Sequence, residues 1–144
     1  MASMERSVLI NASPETIDAF ALDVRGWPSW YPGVEQAEPD ANYPNVGSVV
    51  RVLYRAAGMN FNMTFTVSDY EHLNTIAYEI DGMMTGMTRY TLTPQGNGTV
   101  VTGQFEYEVP GGGLGKVLDK LLLERMNSQN LEASLNNMKA AIEG

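Results

Sequence analysis

The chain holds one histidine, His72, and no cysteine. That removes most nucleophilic and metal chemistry at the outset. Thiolate nucleophiles, disulfides and cysteine-ligated metals are excluded. One histidine without carboxylates clustered at ligand spacing does not make a metal site. A serine-type triad would have to recruit His72, yet Tyr70-Glu71-His72-Leu73-Asn74 reads as a solvated hairpin turn. The segment Gly111-Gly112-Gly113-Leu114-Gly115-Lys116 has the glycines of a phosphate loop but lacks the Gly-Lys-Ser/Thr ending and a preceding parallel strand. It reads as a hinge into the last helix. No catalytic residue, metal or cofactor is assigned.

What remains is aromatic and thioether chemistry: seven Tyr, four Phe, two Trp and nine Met. Met83, Met84 and Met87 cluster at a strand end, with Met59 and Met63 on a preceding hairpin. Such side chains suit a pliable pocket, and ordinary core packing is the competing reading. Strand alternation sorts the rest by face. Val50, Val52 and Tyr54 share one face, as do Phe61, Met63, Phe65 and Val67, then Ile76, Tyr78 and Ile80, then Tyr90 and Leu92, then Val101, Phe105, Tyr107 and Val109. Arg51, Arg55, Glu79, Asp81, Arg89, Glu106 and Glu108 fall opposite and read as a solvated outer face with cross-strand pairs. Arg89 and Asp81 are the charges that a β-bulge would bring inside.

These side chains need elements to hold them. Met1 to Ile10 reads as a first strand and lacks the long apolar stretch of a signal peptide, and Met4 to Asn11 alternates loosely. Ser13-Pro14-Glu15 starts a helix with stripe Ile17, Phe20, Ala21 and Val24, ended by Gly26. Trp27-Pro28-Ser29-Trp30-Tyr31-Pro32-Gly33 allows at most one helical turn, with Trp27, Trp30 and Tyr31 as an aromatic lid or a dimer contact. From Val34 to Val109 strands follow one another with turns at Asn45-Val46-Gly47, Ala57-Gly58, His72-Leu73-Asn74, Asp81-Gly82 and Pro94 to Gly98. No helical pattern interrupts them, so the sheet is expected to be antiparallel. Leu114 to Glu143 reads as one long helix, bent near Met126 to Asn130. Leu131, Leu135, Met138 and Ile142 form one stripe, with Val117, Leu118, Leu121 and Leu122 slightly out of phase. Only that helix is long enough to cover the sheet, which must curl around it.

The sequence has 144 residues, enough for one domain spanning residues 1–144. Net charge is −8 with scattered bases, which disfavours nucleic acid and anionic membrane surfaces. No apolar run approaches the roughly 20 residues of a membrane span. A cytoplasmic location is the expectation, and a homodimer is left open.

Several of these patterns together resemble the START/Bet v 1-like (SRPBCC) helix-grip superfamily, and within it the polyketide cyclase/dehydrase-like proteins. The carriers are Asn11-Ala12-Ser13-Pro14-Glu15, Trp27-Pro28-Ser29-Trp30-Tyr31-Pro32-Gly33-Val34, Val46-Gly47, Tyr90-Thr91-Leu92-Thr93-Pro94 with Gly98-Thr99, and Met138-Lys139-Ala140-Ala141-Ile142-Glu143. The resemblance implies an α+β helix-grip fold. Its curled antiparallel sheet of about six to seven strands wraps a long C-terminal helix, with one or two short helices after the first strand. It also implies a cavity between sheet and helix for a lipid, polyketide or other hydrophobic molecule. The expected lining is Trp30, Val52, Tyr54, Phe61, Met63, Phe65, Tyr78, Met87, Tyr90, Phe105, Tyr107, Leu118, Leu122 and Met126. Such a wall binds by apolar area, at roughly 25 cal/mol per Å². Binding of a small hydrophobic ligand is the leading reading. The second is a polyketide cyclase/dehydrase-type enzyme using Tyr54, Tyr78, Tyr90 and Arg89. The third is an interaction module with a filled core. A roomy apolar cavity favours the first, a polar pair in a roomy cavity the second, and a cavity too small for ligand the third.

Overall fold

The computed structural model describes residues 2–56, 58–108 and 120–144. Seven strands run in chain order as β1 (Ala2–Ile10), β2 (Val34–Pro39), β3 (Val49–Ala56), β4 (Met59–Glu71), β5 (Thr75–Asp81), β6 (Thr85–Gln95) and β7 (Gly98–Glu108). They form one antiparallel sheet in the order β1-β7-β6-β5-β4-β3-β2. Helix α1 (Pro14–Leu22) and a 3-10 helix (Val24–Ser29) separate β1 from β2, and α2 (Lys120–Glu143) closes the chain. This is the helix-grip arrangement, with α2 against the inner face of the curled sheet. The Gly111 to Lys116 hinge, Ala57, Val109, Val117 and Leu118 lie outside the described residues, as do the side chains of Leu121 and Leu122.

Local chemistry explains the short elements. Ser13 caps α1 by accepting from the Thr16 N–H at 3.3 Å, with Pro14 at the first helical position. The helix ends earlier than expected, because Asp23 turns extended (φ −73°, ψ 90°). Gly26 does not terminate it. Both Gly26 and Val24 belong to the 3-10 helix that follows, where Gly26 N–H donates to Asp23 at 3.0 Å. The β6–β7 turn shrinks to Gly96-Asn97, since Gln95 pairs with Gly98.

The inner face matches the alternation in the sequence, with a bulge that sets its far end. Continuing through Phe61, Met63, Phe65 and Val67 would place Asp69 inside. Instead Ser68 is absorbed as an extra residue between Val67, opposite Tyr78, and Asp69, opposite Ala77. Asp69 therefore faces outward. There its carboxylate meets Arg89 Nη1 at 2.9 Å, across the small side chain of Ala77. Arg89 also donates to Thr75 Oγ1 at 3.0 Å. Asp81 is exposed. Neither charge enters the interior.

The core is aromatic at the cap end and aliphatic under α2. Trp27 packs tilted against Phe65 at 5.6 Å and meets Tyr78 edge-on at 5.5 Å, while its Nε1 donates to Ala21 O at 3.0 Å. Trp30 packs against Phe20 at 5.8 Å, Tyr31 at 5.5 Å and Tyr90 at 6.5 Å. On α2, Leu131, Leu135 and Met138 are buried along one stripe. The helix end is tied to β1 by Lys139 Nζ donating to Leu9 O at 2.7 Å and the Asn11 N–H donating to Glu143 Oε2 at 2.9 Å. Gly103 on β7 makes the close approach possible. A Cβ there would stand 2.9 Å from Leu131 Cδ1 and 3.4 Å from Tyr90 Cε1.

Candidate functional site

Alternation on the sheet and helical spacing on α2 bring thirteen side chains around one interior cavity. Strands β3 and β4 supply Tyr54, Met63 and Phe65, and β5 with its following turn supplies Ile80 and Met84. Strands β6 and β7 supply Thr88, Tyr90 and Phe105, and Tyr31 reaches in from the segment after the 3-10 helix. From α2 come Asn127, Asn130, Leu131 and Ser134. None of these residues carries a formal charge at neutral pH. The space open to the centre of a water molecule is about 30 Å³, room for about two waters at roughly 10–15 Å³ each on that scale.

The polar groups form two sets. Asn130 Nδ2 lies 3.2 Å from the Tyr54 hydroxyl. The Tyr90 phenol is in polar contact with Ser134, Tyr31 and Thr88. Ser134 Oγ also donates to Leu131 O at 2.8 Å, and Asn127 Nδ2 points at Met84 Sδ at 3.9 Å. Burial pushes the Tyr31 phenol well above its ordinary value, and it raises Tyr54 and Tyr90 as well. All three stay protonated at physiological pH. They can donate and accept hydrogen bonds to a ligand oxygen, and they are poor bases.

Of the residues expected to line a cavity, Tyr54, Met63, Phe65, Tyr90 and Phe105 meet at this one. Trp30, Val52, Tyr78 and Tyr107 are buried behind it, and Phe61 and Met126 are half-buried outside it. Tyr78 is turned to Tyr43, the two hydroxyls 2.7 Å apart. Met87 lies on the outer face, paired with Glu79 and Glu106, because the inward set of β6 is Thr88, Tyr90 and Leu92. Leu118 and the Leu122 side chain lie outside the described residues. Sequence reasoning missed Tyr31, Ile80, Thr88 and the four α2 residues as cavity lining, whereas Met84 belongs to the methionine cluster that it offered as a pliable pocket. Thr88 shares Tyr90's parity. Asn127, Leu131 and Ser134 share the i, i+4, i+7 stripe that continues to Met138, so polar residues interrupting an apolar stripe were the available signal.

Two further groups bear on chemistry. The Trp30 indole N–H is buried with no hydrogen-bond partner among the described residues, its ring 2% exposed. His72 stays on the β4–β5 turn, 73% exposed and away from the cavity. Among the described residues no three His, Cys, Asp or Glu side chains are placed to hold a metal ion, and no helix is long and apolar enough to cross a membrane.

Comparison with known proteins places the chain in context. The family described as polyketide cyclase/dehydrase and lipid transport matches residues 1–143. No curated protein sequence matches significantly. Among solved structures, a START superfamily protein from Mycobacterium smegmatis superposes with TM-score 0.81 at 18% identity, covering 98% of this chain and 97% of that one. The ZhuI aromatase/cyclase from Streptomyces sp. R1128 superposes with TM-score 0.79 at 21% identity, covering 99% and 93%. The di-domain aromatase/cyclase StfQ of the steffimycin biosynthetic pathway gives TM-score 0.74 at 15% identity, with 98% of this chain on 50% of that one. At these identities the likeness is one of fold.

Proposed function

Because the chain belongs to the polyketide cyclase/dehydrase and lipid transport family, we propose that it binds a small, uncharged hydrophobic molecule between the sheet and α2. The observation that carries this reading is the inward placement of Asn127, Asn130 and Ser134 on α2. A helix that only fills a core gains nothing from amides, since each must find a partner or forfeit its hydration. Around an oxygen-bearing ligand the same groups, with Tyr31, Tyr54 and Tyr90, fix orientation. A ligand pocket typically needs roughly 300–1,000 Å³, and the resting cavity of about 30 Å³ by itself favours the filled-core reading, so binding requires the wall to move. Met63 and Met84 are the side chains most able to do so.

A second reading, cyclisation of a polyketide-like chain, draws on the likeness to ZhuI and StfQ. The cavity's neutral phenols and amides would act there by positioning. Native mass spectrometry of the purified protein, followed by extraction of bound material, tests both. A stoichiometric apolar molecule supports binding, and its conversion on incubation moves the enzyme to first place. An empty protein whose melting temperature does not respond to fatty acids, flavonoids or quinones overturns both and leaves the filled-core interaction module.

A further inference from the structure

Inside the cavity one polar side chain is matched to a weaker partner than the rest. Asn130 Nδ2 donates to the Tyr54 hydroxyl at 3.2 Å, Ser134 Oγ to Leu131 O at 2.8 Å and Thr88 Oγ1 to Gln104 O at 3.3 Å. The Tyr31 and Tyr90 phenols are in polar contact with each other. Each of these partners is an oxygen. Asn127 differs. It is 2% exposed, and among the described residues its Nδ2 meets the Met84 thioether, with Sδ 3.9 Å away. A carboxamide nitrogen carries two donor hydrogens, whereas a thioether is a weak acceptor. The buried Asn127 amide has therefore lost its water without gaining an equivalent bond.

The two side chains come from different walls. Asn127 lies on the α2 stripe that continues through Leu131 and Ser134, and Met84 lies in the β5–β6 turn, 3% exposed. Methionine is unbranched with three rotatable bonds, so it can withdraw more readily than its aromatic neighbours. Its withdrawal would uncover the Asn127 donors and add its own volume to the cavity in one movement. The group uncovered is a donor, so what replaces the sulfur must be an acceptor. The lining residues carry no formal charge, so that acceptor belongs to a neutral molecule. A hydroxyl would bring a proton in need of its own acceptor, and a carbonyl oxygen would not. Leu131, one helical turn beyond Asn127, offers apolar surface to the body of such a molecule.

We propose that Asn127 selects neutral ligands bearing a carbonyl oxygen, and that Met84 Sδ holds the place of that oxygen in the empty protein. The proposal rests on the binding reading above and names the group that the cavity recognises. Exchanging a sulfur for a carbonyl oxygen strengthens the bond made by Asn127, and a hydrocarbon of the same shape gains nothing from the exchange. It would instead leave the amide buried with no partner at all. Selection thus comes from a donor that only the correct ligand satisfies.

The test titrates the full chain with acetophenone and with α-methylstyrene, which differ in carrying a carbonyl oxygen or a methylene at one position, and follows binding by NMR. Asn127→Leu should lower the preference for the ketone by roughly two- to tenfold, the scale of one neutral hydrogen bond. Met84→Leu, which keeps the volume and removes the sulfur, should raise it. Without ligand, Asn127→Leu should unfold no more readily than the parent, since leucine suits a buried position and only a weak bond is lost. An amide with a merely structural role would instead lose stability on substitution and leave the preference intact. The Asn127 side-chain amide signal of the unsubstituted protein gives a readout that needs no variant. It should move with acetophenone and stay in place with α-methylstyrene. If both compounds bind and Asn127→Leu keeps the parent's preference, or the amide signal ignores bound ketone, the selection is overturned and binding stands. If neither compound shifts any cavity signal, the binding reading falls and this one with it.

Discussion

The Asn130 amide stands 3.2 Å from the Tyr54 hydroxyl, so a helix residue and a strand residue are joined by a hydrogen bond across the cavity. Tyr54 is itself held in place from behind. Gly33 takes φ 91°, and a Cβ there would lie 2.6 Å from the tyrosine ring.

Removing one partner of that bond should cost more than removing both. Asn130→Leu leaves a buried phenol without its donor and should destabilise the fold by about 1–3 kcal/mol in urea unfolding. Adding Tyr54→Phe to it should recover part of the loss, because neither polar group is then left unpaired. If Asn130→Leu is as stable as the parent, the bond contributes nothing across the cavity.

Truncating the helix stripe is expected to be harsher. Leu135 is 2% exposed between α2 and the sheet, and Leu135→Ala should cost about 2–5 kcal/mol through lost burial and the cavity left behind. Thermal and denaturant midpoints read this directly, and a change below 1 kcal/mol would show that α2 settles onto the gap.

Alkaline titration separates the buried phenols from the rest. Burial pushes Tyr43 up to about 12 against a smaller opposing effect of its bond to Tyr78, and Tyr31, Tyr78 and Tyr90 are also raised. A phenol raised in the folded state contributes stability in full below its unfolded value, near 10, and loses it as pH climbs through the folded value. Stability should therefore fall between pH 10 and 12. Absorbance at 295 nm should show fewer than the seven tyrosines ionising near pH 10 while far-ultraviolet dichroism stays native. Ionisation of all seven in a folded protein at that pH contradicts the burial described above.

The outer-face pair should matter little. Arg89 and Asp69 side chains are 30% and 43% exposed, so Asp69→Asn should cost under about 1 kcal/mol at low salt, and that cost should fade toward 1 M salt as screening shortens to about 3 Å. Ligand-induced shifts in melting temperature should match those of the parent, since the pair lies on the far side of the sheet. An altered ligand response would mean that this face communicates with the interior.

Much of this architecture was legible in the sequence, and the reasons are particular. Ser13-Pro14-Glu15 fixed the start of α1, and period-two alternation through Phe61, Met63 and Phe65 identified the inward face of β4, from which Met63 and Phe65 line the cavity. Trp30 was the expected cavity contact, yet it is Tyr31, from the segment after the 3-10 helix, that reaches the cavity. Asn127, Asn130 and Ser134 were passed over because hydrophobicity was the search criterion, and their polarity is what sets them apart in the fold. The contact of Asn127 with Met84 gave no sign in the chain. The two lie on separate elements, and the approach of the β5–β6 turn to α2 is a property of tertiary packing alone.

The bulge in β4 has a consequence for how the strand tolerates changes of length. Ser68 is the residue that the ladder leaves unmatched between Val67 and Asp69. Deleting it would regularise the pairing and leave Asp69 opposite Ala77 and Tyr70 opposite Ile76, at the expense of local twist. Deleting any residue from 61 to 67 would instead turn everything on one side of the gap through to the opposite face. A scan of single-residue deletions along β4 should therefore find one permissive position amid intolerant neighbours, a pattern that scanning by substitution would never reveal.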